Sequence, residues 1–120
     1  MIVIDPHNPP RVALQIWQGA TPEYTFVVKA NGAPLDISGM TFGVEITELP
    51  NCETVSSLTT DSEPLLSIDD AANGVLKLAV PAWLSAKMRR TYLPKFRVWL
   101  SENGGQRPVV YGDLIGKTNV

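Results

Sequence analysis

The stretch VVKANGAPLDISGMTFGVEI, Val27 to Ile46, decides the fold. An apolar run ends in Ala-Asn-Gly-Ala-Pro, Leu-Asp-Ile-Ser-Gly follows, and a second apolar run then alternates strictly. Met40, Phe42, Val44 and Ile46 fall on one side; Thr41, Gly43, Glu45 and Thr47 fall on the other. Only a two-residue period fits that pattern, and a two-residue period is a half-buried strand. Asn31-Gly32 supplies two residues that tolerate positive φ, the strongest short signal for a tight hairpin. Leu35 and Ile37 flank Asp36 as a short extended piece, and Ser38-Gly39 turns the chain again. A strand, a turn, a short crossing segment and a second long strand carry a chain from one edge or sheet of a sandwich to another.

The same period recurs on both sides of this stretch. In RVALQIWQG, Val12, Leu14 and Ile16 oppose Ala13, Gln15 and Trp17. In EYTFVVKA, Tyr24, Phe26 and Val28 share a face. Leu66 and Ile68, then Leu76, Leu78 and Val80, alternate around Asn73-Gly74. Phe96, Val98 and Leu100 alternate with Arg97 and Trp99 ahead of Asn103-Gly104-Gly105, a third hairpin signal. RPVVYGDLIG reads as a last strand. Pro108 places its start at a sheet edge, and Gly112 suggests a bulge. Residues 49–63, rich in Ser, Thr and acid, read as a long loop with an irregular strand near Val55 to Leu58. PAWLSAKMRR is the helical candidate, with Pro81 suited to a first turn and Leu84 and Met88 four apart. These elements predict an all-β protein, an antiparallel β-sandwich of about seven or eight strands with one short helical turn. Phe26, Val28, Phe42, Val44, Leu78, Phe96 and Val98 are expected inside.

Residues 1–10 carry Pro6, Pro9 and Pro10 and read as a proline-rich arm, with residues 11–120 as the sandwich domain. Such an arm is either mobile or laid against a neighbour. Its apolar Ile2, Val3 and Ile4 are then candidate partner contacts, since an extended peptide can add to a neighbour's sheet edge.

Composition narrows the functions. A chain of 120 residues is one domain by length and large enough to fold without disulfide or metal. Its net charge is −2, and the densest basic cluster is Lys87, Arg89 and Arg90, too little for nucleic-acid binding. Cys52 stands alone and reads as an incidental thiol. The N-terminus lacks the features of a signal peptide, and no apolar run approaches a membrane span. A chain made in the cytoplasm is expected, with no membrane partner.

The reactive groups do not assemble into a known chemistry. His7 is the one imidazole and sits in the arm, where a general base is poorly held. Asp5 with His7, or Asp61, Glu63, Asp69 and Asp70, could offer metal ligands, but neither set follows a calcium-loop spacing. The Gly-rich ENGGQRP leads into a strand and not a helix, so it is a hairpin tip rather than a phosphate cradle. We therefore expect no enzyme, no catalytic residue, no metal, no cofactor and no small-molecule ligand. Trp17 and Trp99 fall opposite the aliphatic faces of their strands. They either stack sugars or pack at a contact, within the fold or between subunits, and they join the arm residues as candidate contacts.

LQIWQGATPEYTFVVKANGAPLDISGMTFGVEI resembles the N-terminal domain of tailed-phage baseplate upper proteins and related prophage tail and fibre proteins. The resemblance rests on Gln18-Gly19-Ala20-Thr21, on Tyr24 to Phe26, on Asn31 to Gly39 and on the alternating Met40 to Ile46. ANGVLKLAVPAWLSAKM and YLPKFRVWLSENGGQRPVVYGDLIG are similar to the strand–short helix segment and closing hairpin of that family. Pro94-Lys95 interrupt a strand that is continuous there. The resemblance implies an immunoglobulin-like sandwich and a virion structural protein of tail or baseplate, a fibre-anchoring module that oligomerises and docks on other virion proteins. The alternatives are a head decoration or head-fibre base of the same fold, and a carbohydrate-binding module. No catalytic residue carries over.

Overall fold

In the computed structural model, residues 2–6, 8–49, 52–88, 93–102 and 105–118 are described. His7, Arg89, Arg90 and the Asn103-Gly104 turn lie outside them. In chain order the strands are β1 (Ile2–Ile4), β2 (Arg11–Trp17), β3 (Glu23–Ala30), β4 (Ala33–Pro34), β5 (Thr41–Leu49), β6 (Glu53–Leu58), β7 (Leu66–Asp70), β8 (Val75–Ala79), β9 (Lys95–Glu102) and β10 (Gly105–Lys117). One helical turn, α1 (Ala82–Ser85), separates β8 from β9. One sheet runs β1-β3-β8-β7 with β4 paired to β3, and the other runs β2-β10-β9-β5-β6. The two sheets pack as an all-β, immunoglobulin-like sandwich.

Their inner faces are the alternating sets read from the sequence. Phe26, Val28, Leu76 and Leu78 from the first sheet meet Phe42, Val44, Phe96 and Val98 from the second, all fully or almost fully buried. Burial of each such side chain contributes about 1.5–3 kcal/mol, so the shared interior holds the two layers together. The opening stretch does what its pattern implies. Asn31 and Gly32 adopt φ of 53° and 79° and close the β3–β4 hairpin. The carbonyl of Val28 accepts from the Leu35 N–H, and the carbonyl of Ala71 accepts from Ile37. Ile37 is wholly buried as the chain crosses to β5. The Asp36 carboxylate accepts from the Ser38 N–H at 2.9 Å and shapes the next turn.

Several expectations need correction. The arm is not set apart: β1 pairs in parallel with Phe26, Val27 and Val28 of β3, and Ile4 is wholly buried in the core. Three alternating residues are too few to show a period in the sequence, and β2, the next strand, already belongs to the other sheet. The sheets are mixed, because β2 also runs parallel to β10 from Arg11↔Tyr111 to Trp17↔Lys117. Within residues 49–63, the strand expected near Val55 to Leu58 is β6, an edge strand antiparallel to β5 that begins earlier, at Glu53, and whose pairing shifts register between Ile46 and Leu49. The irregularity in β10 falls between Pro108 and Val110, not at Gly112. Gly112 is instead where the backbone of β2 leaves no room for a side chain: an added Cβ would stand 1.7 Å from the carbonyl oxygen of its partner Val12. Pro108 does lie where β10 has β9 on one side and no described β2 partner on the other, since β2 pairing begins at Tyr111. Pro94 ends the approach to β9, and its carbonyl accepts from Leu114.

Candidate interaction surface

The outer face of the β2-β10-β9-β5-β6 sheet gathers most of the side chains that could bind something. Strand register sets Arg11, Tyr111, Arg97 and Glu45 in one row across β2, β10, β9 and β5. Asp113 and Lys95 stand in the next row. The Asp113 carboxylate accepts from the Lys95 ammonium and from the Arg11 guanidinium, the latter at 3.0 Å. Those two cations, Lys95 first, hold the Asp113 carboxyl below the usual carboxylate range. Arg97 reaches Gln106 at 3.2 Å and Glu45 at 4.0 Å, and its guanidinium lies 5.1 Å from the centre of the Trp99 ring. A cation held over an aromatic face by its electrostatic quadrupole fixes both side chains.

The sequence candidates separate on this frame. Trp17 and Trp99 do share the outer face, but their partners Lys117 and Pro108 are at opposite ends of β10, about 30 Å apart at the usual strand rise. Trp17 is half exposed, while Trp99 is only 5 % exposed because its indole lies over Gly43 of the neighbouring strand. The two cannot form one stacking platform, and Trp99 is packed against its own sheet. Of the arm residues, Ile2 is half-buried, Val3 is exposed and Ile4 belongs to the core, so Ile4 is not available to a partner in this fold. Tyr111, 44 % exposed beside Arg11, was not singled out from sequence. Its outward position follows from the same alternation that buries Val110, offset by the irregularity after Pro108.

At the α1 end, the helical turn is tied to the β2–β3 turn. The Ser85 hydroxyl donates to the Ala20 carbonyl, and the Gln18 amide donates to the Ala86 carbonyl at 3.1 Å. The Tyr24 hydroxyl donates to the Gln15 carbonyl and blocks part of the free edge of β2. Burial pushes the Tyr24 phenol above its ordinary value. No group of three metal-ligating side chains occurs among the described residues, and no helix of the described chain is long and apolar enough to cross a membrane.

No family model matches the chain, and no curated protein matches it in sequence. Among solved structures it is similar to the N-terminal domain of phage TP901-1 ORF48, with a TM-score of 0.58 and 14% identity over 97% of this chain and 95% of that one. The ZIG-8–RIG-5 IG1–IG1 heterodimer and the ZIG-8 IG1 homodimer also align, each at a TM-score of 0.42, with 8% and 9% identity over 90% and 92% of this chain and 85% and 84% of theirs. At these identities the first likeness establishes a shared fold.

Proposed function

We propose that this chain is a structural module of a tailed-phage or prophage particle, placed in the tail or baseplate and acting by oligomerising and docking on other particle proteins. The observation that carries the reading is the fold match to a phage domain over nearly the whole of both chains, 97% and 95%. It is a match of one whole domain to another, and it agrees with the turn-and-strand resemblance in the sequence. The outer sheet face supports the docking part. Its exposed Trp17 and Tyr111 and its arginines are the residue types that anchor protein contacts, presented on a rigid sheet. The packing of Trp99 and its distance from Trp17 weigh against a two-tryptophan sugar platform.

Mass spectrometry of purified particles from a host that produces the chain tests the reading, with heads and tails separated before digestion. The chain is expected in the tail fraction at several copies per particle. Recovery only in the head fraction would replace the tail assignment with the head one, and absence from both fractions would overturn the virion role.

A further inference from the structure

We propose that the cleft at the α1 end of the sandwich binds a basic side chain, arginine or lysine, carried on an extended segment of a partner protein. Three connections far apart in sequence meet there: the start of β3 with Glu23, the link from β6 to β7 with Glu63, Pro64 and Leu65, and the passage from β8 into α1 with Pro81 and Trp83. They enclose about 530 Å³. Part of the lining is apolar: Leu65 and Val80 are buried and Pro64 and Pro81 are half-buried. Trp83 forms one wall and is 53 % exposed, although Leu84, Ser85 and Met88 around it are buried. An indole left in water, beside the exposed Ala82 and Ala86, is not part of the core.

Charge decides what fits. Glu23 and Glu63 line the cleft, and no cation is among its described lining residues. Two lysines stand near it, one of them paired with a carboxylate of the lining. Lys77 lies 3.1 Å from the Glu23 carboxylate and also feels Asp69, so Glu23 shares its charge with an ammonium. Lys87 is paired with Glu53 and stands 6.0 Å from the Trp83 ring centre without lining the cleft. Glu63 is the lining carboxylate that no ion pair among the described residues engages, so the described lining leaves one unmatched negative charge. An anionic ligand meets the Glu63 carboxylate with no described cation in the lining to offset it. An alkyl stem ending in a guanidinium or ammonium lays its methylenes along Pro64, Pro81 and Leu65, brings its head to the carboxylates and places a cation against the indole. A sugar ring could also use the indole and donate hydroxyls to the glutamates, but its binding would depend little on salt. That difference separates the two ligands.

The site does not depend on the virion reading, and its test needs no particle. The folded full-length chain, ¹⁵N-labelled, is titrated with the blocked tripeptide glycyl-arginyl-glycine amide. Its counterpart with glutamate in the middle and N-acetylglucosamine serve as the comparisons. The arginine peptide is expected to shift the Trp83 indole N–H saturably. Its affinity is expected to fall at least about fivefold in Glu63→Gln and to weaken with added salt. Trp83→Ala removes an exposed side chain, so the variant should fold and lose binding, while Trp17→Phe, on the other sheet face, should bind as the parent does. No shift at Trp83, an equal shift from the acidic peptide, unchanged affinity in Glu63→Gln, or saturation by the sugar in place of the peptide would each overturn the proposal.

Discussion

The indole of Trp99 lies directly on Gly43: a β-carbon built on that glycine would stand 2.3 Å from Trp99 Cζ2. The two residues are cross-strand partners of β9 and β5, and the missing side chain of one makes the space the other fills. Aromatic residues cover strand glycines in this way and pin the register of the pair. Gly43→Ala should therefore displace the indole from the sheet and break its contact with Arg97. A loss of about 1–3 kcal/mol is expected, with a red shift in tryptophan emission as Trp99 enters water. Denaturant unfolding followed by fluorescence checks both, and an unchanged midpoint and spectrum would contradict the packing.

Gly112 should respond more severely. Its added Cβ would meet Val12 backbone, at 1.7 Å from the carbonyl oxygen, and no rotation of a side chain relieves that. Gly112→Ala is expected to part β2 from β10 at a cost of at least about 3 kcal/mol. Hydrogen exchange should show selective loss of protection along Arg11–Trp17.

The first strand gives a matched pair of tests. Ile4 is wholly buried and Val3 is 52 % exposed, one residue apart on β1. Ile4→Ala should destabilise by about 2–5 kcal/mol, and Val3→Ala by no more than about 0.5 kcal/mol. Equal, small effects would show that β1 is not seated on β3 in solution.

Asp113 carries the pH expectation. Hydrogen bonds from Lys95 and then Arg11 depress its folded pKa. A depressed carboxylate stabilises the fold above its unfolded value, about 3.9, and that contribution is lost as pH falls through the folded one. Asp113→Asn should lower the unfolding midpoint modestly at neutral pH, and the gap from the parent should close on acidification below about pH 3.9. The effect is small because the group sits at the surface, where water and salt screen it.

The sandwich was legible wherever one strand face is buried along its length. Phe42, Val44 and Ile46 show their alternation because each has a polar neighbour on the solvent side or, at Gly43, none at all. β6 was harder to read: its inward positions are the half-buried Val55 and the buried Ser57, whose hydroxyl oxygen accepts from the Leu65 N–H at 3.0 Å. A buried serine satisfied by a distant backbone group looks like loop in the sequence. β1 was too short to show a period, and the direction of its pairing depends on contacts with β3 more than twenty residues away. Trp99 was placed on the correct face, but its burial rests on Gly43, which is adjacent only once β5 and β9 pair. The cleft was invisible for the same reason, since Glu23, Glu63 and Trp83 come together only through the closed fold. Trp83 itself stood in the sequence only as part of the helical candidate PAWLSAKMRR.

The central claim, that this sandwich is a repeated building block of a phage particle, is tested most directly by a density map of the purified particle. The described chain extends 43 × 26 × 22 Å, enough for its two sheets and the α1 turn to be recognised in a well-resolved map. The expected result is several symmetry-related copies of this sandwich at the tail end, each with its β2-β10-β9-β5-β6 face against another particle protein. A fully interpreted particle map that contains no copy of the sandwich would contradict the account.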